Sequence, residues 1–255
     1  MPLPEPEFPE AEFASHGLAP ARTAFFLDFD GTLARIVPDP EQASVTAQTL
    51  AALRRLRQAA GGAVAIVSGR SIAQLDRMLH PLRLPAAGVH GLERRNAAGA
   101  VLATPFDAAL QRQLAAAVGA FVGERPGLLA EVKPGSVALH YRKRPEMETA
   151  SLAFAIEVAR ADPRIHIMPG KKVVEMKLAP RTKGDAIADF MAEAPFSGRR
   201  PFFAGDDVTD EVGFSLVNGM DGVSLKVGPG ETHARYRVDG IEAFAACLER
   251  LAAQA

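Results

Sequence analysis

At 255 residues, with 48% hydrophobic and 23% charged residues, the chain is long enough for one large domain, or for a core with a smaller insert, built around a real apolar interior. Its 29 Lys and Arg against 30 Asp and Glu leave a net charge of -1, which gives no electrostatic reason to expect nucleic acid or an anionic membrane as partner and favours a small substrate. The single cysteine, Cys247, excludes an internal disulfide and a thiolate metal cluster and suits a reducing compartment.

The N-terminal MPLPEPEFPEAEF is acidic and Pro-rich where a signal peptide would be basic and then apolar, and no apolar run approaches the ~18 residues of a membrane span. The expectation is a cytoplasmic protein with a disordered lead-in over residues 1–20. FFLDFDGTL at 25–33 then reads as a short buried strand, Phe25-Phe26-Leu27, that delivers Asp28 and Asp30 into a turn opened by Gly31. A period of two along the strand sends both carboxylates to one spot. Asp-x-Asp-Gly-Thr would arise by accident in a chain of this length with a probability of roughly 0.3% at average residue usage.

Residues 45–59 space Leu50, Leu53 and Leu56 as a helix that Gly61-Gly62 ends, and AVAIVSGR at 63–70 is a second strand running into small and polar residues. A helix over 71–79 and a third short strand in AAGVHGLE at 86–93 follow; strand, helix and strand in that order make parallel neighbours. From about residue 104 the pattern changes to a helix (110–121), a hairpin (128–142), a helix (147–160) and a second hairpin (164–178), an α+β block of antiparallel character. The α/β theme returns with a helix over 183–192, a strand over 201–204, GDDVTDE at 205–211, a strand over 222–227 and an amphipathic helix over 241–251. The predicted fold class is therefore α/β: a Rossmann-like parallel-sheet core from residues 21–103 and 180–255, interrupted by an inserted α+β cap over 104–179.

The acidic and polar motifs follow predicted strands, at the sheet edge where doubly wound folds bind ligands. Asp28 and Asp30 follow the first strand, Ser68 to Arg70 the second, and Asp206, Asp207 and Asp210 the strand at 201–204. So many carboxylates at one edge repel one another unless a cation sits among them, and a hard cation such as Mg2+ takes such oxygen ligands. Asp206 or Asp207 could instead cap a helix beginning near Thr209. One carboxylate of the first pair would attack and the other handle protons, while Ser68 by hydrogen bond and Lys183 by charge would serve a transferred phosphoryl group. Arg70 could reach a phosphate or sugar or be a solvated charge, and His90 could line the site or satisfy a buried backbone group.

The set DFDGTL, VSGR, RTKGDAI and GDDVTDE resembles, in order, the four signature motifs of the haloacid dehalogenase-like (HAD) phosphatases. Within that superfamily GVHGLE at 88–93, EVKPGSVALHYR at 131–142 and VVEMKL at 173–178 are similar to the trehalose-6-phosphate phosphatases. The resemblance implies a Mg2+-dependent phosphomonoesterase in which Asp28 forms an aspartyl-phosphate and Asp30 protonates the departing sugar oxygen and then activates water. It implies Mg2+ bound by Asp28, the backbone carbonyl of Asp30 and Asp206, with Asp207 and Asp210 in support. In the cap, Glu131, Lys133 and Glu175 align with residues used on glucose hydroxyls, and His140 and Arg142 lie in the same motif; Glu131 and Lys133 could also be a surface pair on one strand face. The resemblance leaves room for functional coupling to a trehalose-6-phosphate synthase. Two rival expectations are a phosphatase for sucrose or glucosylglycerol phosphate and a non-catalytic sugar-phosphate sensor.

Overall fold

Phenylalanine fixes the centre of the molecule. TAFFL at Thr23–Leu27 forms β1, buried at every position, and its neighbours on both sides are themselves buried strands, so this short apolar run needs no polar face. The computed structural model describes residues 18–37 and 39–253. Of the lead-in expected over 1–20, residues 1–17 lie outside the described residues; Leu18 is already buried in the core and Pro20–Arg22 make a single 3-10 turn.

After β1 come α1 (Ala47–Ala59), capped by Thr46, β2 (Val64–Val67) and α2 (Ile72–Met78), whose Ser71 and Gln74 satisfy each other's backbone in a capping box. The short strand expected to open 86–93 is β3 (Ala86–Gly88), and the Gly-containing stretch after it is a tight turn that leads into β4 (Glu93–Arg95). β5 (Val101–Ala103) ends this half. The second unit, residues 103–181, contains α3 (Ala108–Gly123), β6 (Leu129–Lys133), β7 (Ser136–His140), α4 (Glu148–Ala161), β8 (His166–Gly170) and β9 (Val173–Lys177). The first unit resumes with α5 (Lys183–Met191), β10 (Arg200–Gly205), a 3-10 turn at Val208–Asp210, α6 (Glu211–Gly219), β11 (Val223–Val227), β12 (Tyr236–Val238) and α7 (Ile241–Ala253). The helix expected near Thr209 thus starts two residues later, after the turn.

The large sheet runs β12-β11-β10-β1-β2-β3-β4-β5, parallel from β12 through β3 and antiparallel at β3–β4. From β1 the chain moves outward through β2 and β3; on its return it begins again at β10, on the other side of β1, and moves out through β11 and β12. The order therefore reverses between β1 and β10, and the crevice at the carboxyl ends of those two strands is the switch point where such sheets bind ligands. Ring stacking locks this centre: Phe26 lies 6.0 Å from Phe190 of α5 and 5.5 Å from Phe196, and Phe203 of β10 lies 5.2 Å from Phe214 of α6. Burying each such side chain contributes roughly 1.5 to 3 kcal/mol.

The second unit has its own core, with Leu110, Leu114 and Val118 of α3 against Val137, Leu139, Val174 and Met176 of a four-stranded antiparallel sheet ordered β6-β7-β9-β8. Register puts Glu131 opposite Ala138, Ala138 opposite Glu175, and Lys133 opposite Ser136, which faces Lys177. Opposed residues share a face. The side of the sheet that does not carry Val137, Leu139, Val174 and Met176 thus collects the polar positions.

Candidate active site

Asp28 is the first residue past β1, and its N–H donates to the carbonyl of Ala204 at 2.9 Å, which extends the β1–β10 ladder to the switch point. Its carboxylate is buried. Lys183 opens α5, whose entry is set by the Thr182–Asp185 capping box, and its ammonium donates to Asp28 Oδ1 and to Asp210 Oδ1, both at 2.7 Å. Asp206, just beyond β10, completes an acidic group: ligand oxygens of Asp28, Asp206 and Asp210 lie within 4.8 Å of one another. The loops close on each other tightly. Gly31 has φ +82, and a Cβ there would collide with the Asp206 carboxylate; one at Gly205 would strike Asp210.

Burial drives the electrostatics. It raises the Asp28 carboxyl well above its ordinary value, Lys183 opposes the rise, and Asp210 and Asp206 add to it. Burial alone would depress the Lys183 ammonium, but Asp210 and Asp28 more than offset this and hold it charged. Lys183 reaches two of the three carboxylates, Asp28 and Asp210, and three acids so close together make a donor set that fits a hard divalent cation with oxygen ligands.

Of the acids expected from sequence to hold a metal, Asp28 and Asp206 lie in the three-acid group. Asp207 stays outside the three-acid group: its side chain accepts from Val208 N–H at 2.7 Å as a cap, and its own N–H donates to Asp210 Oδ2 at 2.9 Å. Asp210, expected in support, is the third member of that group. β1 ends at Leu27, and past it Asp28 and Asp30 pair with different cations, Asp28 with Lys183 and Asp30 with Arg70. Arg70 Nε and Nη2 donate to the two oxygens of Asp30, each at 2.7 Å.

Arg70 is not a solvated charge; it is 6% exposed and lies over the Phe29 ring at 5.5 Å. Ser68 is buried directly after β2, where its Oγ accepts from the Arg70 N–H at 3.2 Å. His90 sits in the turn after β3 with its ring against the α-carbon of Gly69, where a Cβ would lie 2.5 Å from Nε2. Its N–H donates to the Ser68 carbonyl at 2.9 Å.

One buried charge beside the site escaped the sequence reading. Lys226, buried near the end of β11, donates to the main-chain carbonyl of Asp206 at 2.7 Å and lies 3.8 Å from Glu211. The available signal was a lysine inside VSLKV, an otherwise apolar buried strand.

In the second unit, the polar sheet face carries a connected chain of side chains. His140 Nε2 and Glu131 Oε2 are 2.9 Å apart, Lys133 lies 3.4 Å from that same oxygen and 3.8 Å from Glu175, and the hydroxyl of Ser136 donates to Glu175. Arg142 donates to the carbonyl of Lys171 at 3.4 Å. Ser136, unremarked in sequence, joins the chain because it stands opposite Lys133 and beside Glu175.

Residues 26–242 match the trehalose-phosphatase family model. The trehalose-6-phosphate phosphatase of Escherichia coli (strain K12) is 42% identical over 231 residues, 91% of this chain and 87% of the relative. The C-terminal domain of a C. albicans trehalose-6-phosphate phosphatase superposes with a TM-score of 0.88 at 20% identity, covering 99% of each chain. A Bacteroides thetaiotaomicron protein analysed among the phosphatases of the haloalkanoate (HAD) enzyme superfamily has the same fold, with a TM-score of 0.59 at 14% identity over 90% of this chain and 94% of its own.

Proposed function

The chain belongs to the trehalose-phosphatase family, and from that premise we propose that it hydrolyses trehalose 6-phosphate to trehalose and phosphate, with Mg2+ as cofactor and through an aspartyl-phosphate on Asp28. The observation that carries the chemistry is the buried Asp28 carboxylate tied by Lys183 to Asp210 at the switch point of the sheet.

Asp28 attacks phosphorus as the bond to the sugar oxygen breaks, and Asp30 gives that oxygen a proton. Asp30 then removes a proton from water, the water oxygen bonds to phosphorus, and the bond to Asp28 breaks to release phosphate. A carboxylate approaches an anionic phosphate only where the charge is cancelled, and Lys183 supplies a fixed ammonium there while the Ser68 hydroxyl holds an equatorial oxygen. Asp28, Asp206 and Asp210, with the main-chain carbonyl of Asp30, would hold Mg2+, which when bound supplies further neutralisation of phosphoryl oxygens. Lys226 steadies the Asp206 loop from below.

The polar face of the second unit is the sugar reader in this proposal, with Glu131, Lys133, His140 and Glu175 offering partners to glucose hydroxyls. An unpaired buried hydroxyl costs about 1 to 3 kcal/mol, so such a face discriminates between sugars. Rapid acid quench of the enzyme with substrate carrying labelled phosphate tests the covalent step. The wild type should retain label on the protein, and Asp28→Asn should retain none and lose turnover by a factor on the order of a thousand or more. An Asp28→Asn variant with ordinary turnover contradicts the mechanism.

A further inference from the structure

Arg70, two residues after Ser68, is built to hold a different side chain. Arg70 presents Nε and Nη2 side-on to the two oxygens of Asp30, both at 2.7 Å, while its own side chain is 7% exposed and that of Asp30 is 37% exposed. A fork of this kind fixes both the position and the plane of a carboxylate. Asp30 needs such a grip because it stands beyond the end of β1, in a turn, where the strand ladder no longer sets its direction.

Arg70 is itself fixed from several sides. Its N–H donates to Ser68 Oγ, its carbonyl accepts from Val89 N–H at 2.9 Å, and its guanidinium lies over Phe29. Val89 and His90 have φ of +47 and +53, a left-handed conformation that is costly for a β-branched residue and is retained where surrounding structure demands it. The same turn puts Gly91 against the carbonyl of Thr182, the residue before Lys183, at a closeness that leaves a Cβ 2.9 Å away. The strained turn thus braces the loop that bears Ser68 and Arg70 on one side and the start of α5 on the other.

We propose that Arg70 is the positioning residue for Asp30: it acts on the reaction through that carboxylate and not by touching substrate. The assignment rests on the reading of Asp30 as the group that moves protons. A bidentate guanidinium uses the two lone pairs that face it and leaves the outer lone pair of each oxygen to take up or deliver a proton. Without the fork, the Asp30 carboxylate rotates about its own side-chain bonds and spends most of its time misdirected, which lowers turnover and leaves sugar and phosphate binding alone. Lysine keeps the charge but not the fork, so it cannot restore the plane.

The test is a double-mutant cycle on the full-length enzyme with trehalose 6-phosphate, using Arg70→Gln, Arg70→Lys, Asp30→Asn and the pair Asp30→Asn/Arg70→Gln. Arg70→Gln and Arg70→Lys should each lower kcat by about tenfold or more with KM within about twofold of wild type. Asp30→Asn should lose at least as much, and adding Arg70→Gln to it should change kcat by less than about twofold, because the group through which Arg70 acts is gone. A further loss of about tenfold in the double variant, or a rise in KM with kcat spared, overturns the proposal by placing Arg70 on the substrate. Ordinary turnover in Asp30→Asn instead overturns the reading of Asp30, which separates the two failures. Should Arg70→Gln fail to fold by circular dichroism, Arg70→Lys carries the same test, and wild-type kcat in that variant contradicts the positioning role.

Discussion

Gly31 holds φ +82 with the Asp206 carboxylate pressed against its α-carbon. An alanine there carries a backbone cost of roughly 1 to 2 kcal/mol, and its methyl pushes the Asp206 loop out of place. Gly31→Ala should therefore melt lower than wild type and lose most of the thermal shift produced by added Mg2+, both read by differential scanning fluorimetry. An unchanged melting point with an unchanged Mg2+ response contradicts this account of the glycine. At the same scale, residue chemistry was legible wherever a motif sat directly on a strand end. Asp28, Ser68 and Asp206 could be found because a run of apolar residues stops and polar ones begin. What the residues touch was less legible: no local spacing says that Asp28 meets Lys183 and Asp30 meets Arg70, and Arg70, Lys226 and Asp210 take their meaning from residues far along the chain. A lysine buried in VSLKV is intelligible only once the Asp206 carbonyl is seen above it.

α5 shows how local sequence delivers the Lys183 side chain to the acidic group. The Thr182 hydroxyl accepts from Asp185 N–H and donates to Asp185 Oδ2, while the Thr182 N–H donates to the same carboxylate at 2.8 Å, so the helix starts at one defined residue and Lys183 occupies its first position. Thr182→Ala should cost about 1 kcal/mol, a fall of about 2 to 4 °C in melting temperature for a chain of this size. It should also lower kcat, since the first turn that aims the Lys183 ammonium loosens. A melting point and kcat both equal to wild type would show that the cap does not set the position of Lys183. Long elements with clear spacing were readable from sequence, and α1, α3, α4 and α7 fall within two residues of the expected bounds at their starts. The three-residue strands β4, β5 and β12 were not, because ERR, VLA and YRV are too short for any period to register; they are strands only because a neighbour offers its edge.

At the scale of the whole molecule, the chain divides into one unit that holds the acidic switch point and another, residues 103–181, that holds a polar sheet face. Length left room for a core with a smaller insert, and the change from parallel to antiparallel patterning expected near residue 104 lies beside Ala103, where the second unit begins. Among the described residues no helix is long and apolar enough to cross a membrane. In the proposed mechanism the first unit carries out phosphoryl transfer and the second chooses the sugar, so activity and preference are measured together. Phosphate release from trehalose 6-phosphate, sucrose phosphate and glucosylglycerol phosphate, each with and without a chelator, reads both. The account predicts that trehalose 6-phosphate is preferred by at least about tenfold, equivalent to about 1.4 kcal/mol of discrimination, and that chelation abolishes release until Mg2+ is restored. A preference below that level, or release that persists in chelator, contradicts it.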